Sequence, residues 1–160
     1  MNKTHLLQLI IDRLQFDLDI ARRAAQTAYE AATHEENIAE NKYDTLGLEA
    51  SYLAAGQARR VEEIRQCVAL YRQASVKPFD AARGIQVGDL VTLQGAGGER
   101  RYLFLGPDAA GLNIQADECL VTVITARAPL GQSLMGKQEG DDVEIVVKGQ
   151  RQVFDVTQVL

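Results

Sequence analysis

The chain has no tryptophan, only two cysteines, two histidines and three prolines, and just 6% aromatic residues in 160 positions. Each scarcity removes a class of function. With so few rings, an extended stacking platform for single-stranded nucleic acid or an aromatic-walled ligand pocket is not indicated. Cys67 and Cys119 lie far apart and show no metal spacing, so they are expected to be reduced, structural thiols. No apolar run approaches the roughly 18 residues needed to cross a bilayer. The start, Met1-Asn-Lys-Thr-His5, lacks the basic-then-apolar form of a secretory signal, so a cytoplasmic location is expected. His34-Glu35-Glu36 does not continue to a second His at the metalloprotease spacing, and G-x-S-x-G is absent. An autonomous enzyme is therefore not expected. A net charge of −5 argues against broad capture of duplex nucleic acid, although it permits a local basic patch.

What the chain does contain changes character near Pro78. Residues 1–77 have no proline and only Gly47 and Gly56, whereas residues 78–160 carry all three prolines and the other eleven glycines. The first half reads helical and the second β-rich, giving expected domains at 1–77 and 78–160. In the first half Leu7, Ile11, Leu14, Leu18, Ala21, Ala25, Ala28 and Ala32 follow at alternating steps of four and three. This is an a/d seam. Tyr43, Gly47, Ala50, Ala54, Gln57, Val61, Ile64, Val68 and Tyr71 form a second. Folded back as an antiparallel hairpin, the layers Leu7/Tyr71, Ile11/Val68, Leu14/Ile64, Leu18/Val61, Ala21/Gln57, Ala25/Ala54, Ala28/Ala50 and Ala32/Gly47 all have numbers summing to 78 or 79. One register satisfies every layer and puts the turn near Ala39 and Glu40, with a shaft of about 38 Å. The seam passes from Leu, Ile, Val and Tyr at one end to Ala and Gly at the other. Small side chains allow close approach of the axes, and Ala is also the best helix former.

Two charge clusters stand out on this hairpin. Glu35, Glu36, Glu40 and Asp44 crowd the expected tip, accompanied by Lys42 and His34. Glu36/Glu40 and Glu40/Asp44 are spaced i,i+4 and repel wherever helix persists. Grouped carboxylates can hold a hard cation such as Mg²⁺ when another macromolecule completes the shell; alternatively they cap the second helix and interact with its dipole. Arg22, Arg23, Arg59 and Arg60 fall at one height in the same register, about 25 Å behind the tip. They can meet a phosphate backbone, or they can pair along their own helices with Asp19, Glu62 and Glu63.

In the second half, strands are expected at Asp89–Leu93, Arg101–Leu105, Leu112–Gln115, Leu120–Ala126, Val143–Val147 and Gln152–Val156. Gly95-Ala-Gly97-Gly98 reads as a hairpin turn, since it lacks the following helix that a phosphate loop requires. Ala128-Pro129-Leu130-Gly131-Gln132-Ser133-Leu134-Met135 reads as a short helix opened by Pro129 and closed by Gly136.

The stretch Ile124-Thr-Ala-Arg-Ala-Pro129-Leu-Gly-Gln-Ser-Leu134-Met-Gly136-Lys137-Gln-Glu139-Gly-Asp-Asp-Val143 resembles a stretch of the Gre family of bacterial transcription elongation factors, agreeing at Pro129, Leu134, Gly136, Lys137 and Val143. Val87-Gly-Asp-Leu-Val91 resembles that family's first strand, and Val153-Phe154-Asp-Val156 its last. The resemblance implies an α+β architecture: a long antiparallel α-helical coiled-coil hairpin followed by an FKBP-like β-sheet domain with one short helix. It implies bacterial RNA polymerase as partner, with Ala128, Pro129, Leu130 and Gln132 as docking candidates. The hairpin would enter the secondary channel as a monomer, bringing Arg22, Arg23, Arg59 and Arg60 toward the nascent RNA 3′ end. Tip acids Glu40, Asp44, Glu36 and Glu35 would act in trans on transcript cleavage, with the polymerase-bound Mg²⁺ shared through Glu40 and Asp44 and no cofactor of the chain's own.

The sequence departs from the family's Asp-x-x-Glu-Asn cleavage motif. Glu36-Asn37 and Glu40-Asn41 supply Glu-Asn, but Thr33 and Asn37 occupy the aspartate positions, and Gln132 stands where many members have Arg. A channel-binding inhibitor or modulator without cleavage activity is thus a second expectation. A prolyl isomerase built on the FKBP-like half, or an adaptor whose hairpin pairs with another copy, is a third.

Overall fold

The computed structural model describes residues 1–34 and 45–160. It has three helices, α1 (Lys3–Thr33), α2 (Thr45–Gln73) and α3 (Pro129–Leu134), among the described residues. Six strands complete it: β1 (Leu90–Gly95), β2 (Arg100–Leu105), β3 (Asn113–Ala116), β4 (Cys119–Ile124), β5 (Asp142–Val147) and β6 (Gln150–Val159). The architecture is α+β, as expected. Two compact units form: Met1–Ile11 together with Leu70–Leu160, and Asp12–Ala69. No described helix is long and apolar enough to cross a membrane.

Within Asp12–Ala69 the seam follows the heptad reading. Leu14, Leu18, Ala21, Ala28, Gly47, Ile64 and Val68 are buried, as is Cys67, which the a/d reading did not include, while Ala25, Ala32, Ala50, Ala54, Gln57 and Val61 are half-buried. Tyr43 lies outside the described residues. The first turns of α1 depart from the expectation: Leu6 and Ile10 are fully enclosed, whereas Leu7 and Ile11 are only half-buried. These turns belong to the sheet-containing unit, and Leu7 borders a crevice shared with Leu70, Phe104 and Pro107. Because these turns group with residues 70–160 rather than with the rest of the helical unit, an a/d rule written for two helices alone does not govern their burial. Asn2 starts the helix by accepting from the backbone N–H of Thr4 (2.8 Å) and His5 (3.3 Å), an N-cap.

All six expected strands form, with shifted ends. Their order is β3-β4-β2-β1-β6-β5, antiparallel except for β2 with β4. The Gly-rich segment closes the β1–β2 hairpin, the Gly95 N–H donating to Glu99 O, with Gly98 at φ 83°. β6 runs longer than expected because a bulge interrupts its pairing with β1. Leu93 faces Val156 but Thr92 faces Gln158, leaving Thr157 extra. That extra residue puts Val159 back on the core side despite its odd spacing from Val156.

The sheet is buried on both faces along its centre. Val91, Leu93, Leu103, Leu105, Phe154 and Val156 join Val143, Ile145, Ile85 and Leu134 of α3 in one cluster. On the other face Leu90, Phe104 and Val123 pair directly across three strands and are all buried. Tyr71 of α2, fully enclosed, donates its hydroxyl to the Asp108 carbonyl (2.7 Å). Gly106 makes room for it, since a β-carbon there would collide with the Tyr71 hydroxyl. Lys3 and Asp89 form an ion pair (3.0 Å) with both side chains 9% exposed. Lys3 also donates to the Lys77 carbonyl, and the second Asp89 oxygen accepts from the Gln86 N–H (2.8 Å). Neither Cys67 nor Cys119 is joined in a disulfide, in line with the expectation of reduced thiols.

Candidate functional site

The four tip acids, Glu35, Glu36, Glu40 and Asp44, lie outside the described residues, and with them the proposed sharing of Mg²⁺ through Glu40 and Asp44. Among the described residues no group of three or more His, Cys, Asp or Glu side chains is arranged to hold a metal ion.

The arginine band is described. Arg22, Arg23, Arg59 and Arg60 are all exposed on the two long helices. Intrahelical pairing takes up little of their charge. Arg60 reaches Glu63 only at 4.0 Å. Glu62 turns instead to Arg65, which donates through Nε (2.9 Å) and Nη2 (2.8 Å). Those bonds, with a further one from Gln66, hold the Glu62 carboxyl below its ordinary range; the Glu62 bond correspondingly raises the Arg65 guanidinium. Arg22, Arg23 and Arg59 form no ion pair among the described residues, and neither does Asp19. Of the two readings of the band, the ion-pair one is met only at Arg60.

Beside this band the small seam residues leave a groove. Ala25, Ala54, Ala58 and Val61 line its apolar part, while Arg22, Gln26 and Tyr29 supply a cation, an amide and a ring around an open groove of about 410 Å³. Ala25 and Ala54, partners in the 78/79 register, thus share one cavity. Sequence reasoning named Arg22 but missed Gln26 and Tyr29. The spacing Arg22, Gln26, Tyr29, one helical face at steps of four and three, was the available signal.

The short helix expected at Pro129 is α3, with Pro129 in its first turn and Gly136 at φ 78° beyond its end. Pro129 and Gln132 are exposed; Ala128 and Leu130 are half-buried. Leu134 anchors the opposite side in the core, and Gly131 is pressed against the Thr125 carbonyl so closely that a β-carbon would overlap it. The side chain of Gln132 donates to the Arg127 carbonyl (3.3 Å), and Arg127 approaches Asp108 at 3.9 Å with its own side chain 80% exposed. Arg127 and Asp108 extend the exposed polar rim around Pro129 and were not singled out from sequence. Asp108 is remote in the chain, but Arg127 directly precedes the segment that was.

Comparison with known proteins follows this division. Residues 82–160 match the family model described as transcription elongation factor, GreA/GreB, C-term. The whole chain is similar to transcription elongation factor GreA of Paracoccus denitrificans, 25% identical with 99% of this chain and 98% of that protein covered. Among solved structures it aligns with GreA factor homolog 1 of Thermus thermophilus at 20% identity and TM-score 0.40, covering 94% of each chain. A GreA/GreB factor from Nitrosomonas europaea aligns at 18% identity and TM-score 0.39, over 70% of this chain and 91% of that one.

Proposed function

Because the chain belongs, through its C-terminal half, to the GreA/GreB family of transcription elongation factors, we propose that it binds RNA polymerase and acts through the secondary channel. The match over residues 82–160 is the observation that carries this reading. In it Pro129 and Gln132, exposed, with the half-buried Ala128 and Leu130 beside them, dock on the polymerase. The two long helices enter the channel, and the protein works in the cytoplasm without a catalytic centre of its own.

At the channel's end Glu40 and Asp44, with Glu36 and Glu35 beside them, would hold the polymerase's catalytic Mg²⁺. Their donor chemistry fits, since carboxylate oxygens are the ligands this hard cation takes. When bound, the ion supplies activation of water for hydrolysis of backtracked RNA. The chain's contribution would be carboxylate oxygens supplied from the segment that joins α1 and α2. The second reading, a channel-binding modulator without cleavage activity, is favoured by one feature, the absence of aspartate three residues before either Glu-Asn pair.

The test is transcript cleavage by stalled, backtracked core polymerase. Glu40→Ala with Asp44→Ala is expected to abolish stimulation while pull-down of core polymerase is unchanged. A substitution at Pro129 is expected to weaken the pull-down. Polymerase binding with no stimulation by the unaltered chain selects the modulator; no binding at all overturns the proposal.

A further inference from the structure

A groove beside the segment that joins α2 to β1 has two halves of different chemistry. Leu7, Leu70, Val76, Val87, Phe104 and Pro107 line its apolar half, about 300 Å³, and all six belong to the sheet-containing unit. Ser75, Val87 and Gly88 carry the same wall into a polar half of about 400 Å³, where Lys77 and Arg83 are exposed. Neither cation forms an ion pair among the described residues. Of the two carboxylates there, Asp89 is neutralised by Lys3, and the exposed Asp80 accepts from the Ala82 N–H (3.0 Å). Positive charge is thus left over beside an apolar slot whose rim, Leu70 at 43% and Val87 at 49% exposure, nothing in the chain covers among the described residues.

The outer face of α1 carries the complementary chemistry. Phe16 is 61% and Ile20 50% exposed, one helical turn apart. Asp19, three residues after Phe16, shares their face, is exposed, and forms no ion pair among the described residues. Arg13, a turn earlier, is taken up by Asp17 (3.1 Å). Phe16 stands nine residues after Leu7 on one continuous helix, so it cannot fold back into a crevice that Leu7 borders. We infer that the occupant is a second copy of this chain. Phe16 and Ile20 of one copy enter the apolar half of the other's groove, and Asp19 meets Lys77 and Arg83. A plain anion would use only the cations and an apolar molecule only the slot, whereas this helix face answers both halves and covers its own exposed apolar pair in doing so.

This inference concerns the chain alone and stands whether or not the polymerase reading holds. The experiment is sedimentation velocity of the full chain across the micromolar range, with circular dichroism to check that each variant is folded. Reversible self-association is expected. Phe16→Ser and Val87→Glu, both at exposed positions, should each weaken it about tenfold. Asp19→Lys should weaken it as well, by setting like charges face to face, and adding Lys77→Glu should recover most of that loss, as a direct contact requires. Tyr52→Ser, at an exposed tyrosine outside both surfaces, should leave association unchanged. A chain that stays monomeric throughout overturns the inference, as does association indifferent to Phe16→Ser and Val87→Glu in folded variants. Loss on Tyr52→Ser but not on Phe16→Ser moves the contact to another face of the helical hairpin and also overturns it. So does a monomer whose pull-down of core polymerase is lost on Val87→Glu, which gives the groove to the polymerase.

Discussion

The two compact units of this chain reach stability by different means. In the sheet-containing unit Ile85, Val91, Leu93, Leu105, Val121, Val123 and Leu134 are completely withdrawn from water. In Asp12–Ala69 the most enclosed described apolar side chain, Val68, still keeps 4%, and half of the seam is only half-buried. A sheet covered on both faces encloses side chains on all sides, whereas two helices share one seam and expose the rest to solvent. Replacing Leu by Ala along that seam removes apolar area at about 25 cal/mol per Å² and leaves a groove where large side chains would have met. Burial is concentrated in one unit, and the exposed chemistry, arginines and a tyrosine beside a cavity, in the other. Substitutions should therefore separate the units by the size of their effect on stability.

The largest effect is expected at the buried Lys3–Asp89 pair. Asp89→Ala leaves an ammonium group enclosed with only the Lys77 carbonyl, and should cost about 3–5 kcal/mol in urea unfolding. Adding Lys3→Met should recover most of the loss. A cost below about 1 kcal/mol would place the pair with ordinary surface ion pairs. Next comes Gly131→Ala, whose added carbon meets the Thr125 carbonyl and must push α3 outward. Overpacking of this kind costs about 1–3 kcal/mol and should lower the melting temperature and weaken docking together. An unchanged melt would mean that α3 yields freely.

The smallest effect belongs to the helical unit. The Glu62 carboxyl is held below its ordinary value of 4.5 by Arg65 and then Gln66. A lowered folded-state value means that the stabilisation is present above about pH 4.5 and lost as pH falls through the folded value. Both side chains are exposed to solvent, so Glu62→Gln should scarcely change helical circular dichroism at neutral pH. It should only flatten the decline on acidification. A large loss at neutral pH would show the helical unit to be far more dependent on single surface pairs than its open seam implies.

The strands and the heptad seam were legible because both are local periodicities: Leu14, Leu18, Ala21 and Ala28 repeat within one helix, and Val91 and Leu93 alternate within one strand. The site was legible in part. Pro129 marked α3 by its effect on the backbone, and Arg22 stood out by charge. Gln26 and Tyr29 were overlooked, because a groove depends on what a second helix fails to fill.

The sequence by itself determined that helices would come first and a sheet second, that Gly95–Gly98 would turn between β1 and β2, and that the two cysteines would form no disulfide, since these rest on residue type and short-range spacing. Only the tertiary structure decided that β2 and β4 run parallel, that Lys3 reaches an aspartate 86 residues away, that Leu6 and Ile10 rather than Leu7 and Ile11 are enclosed, and that Thr157 bulges out of β6. Each of these is fixed by which surfaces meet after the chain has folded back on itself, and no periodicity along the chain encodes that meeting.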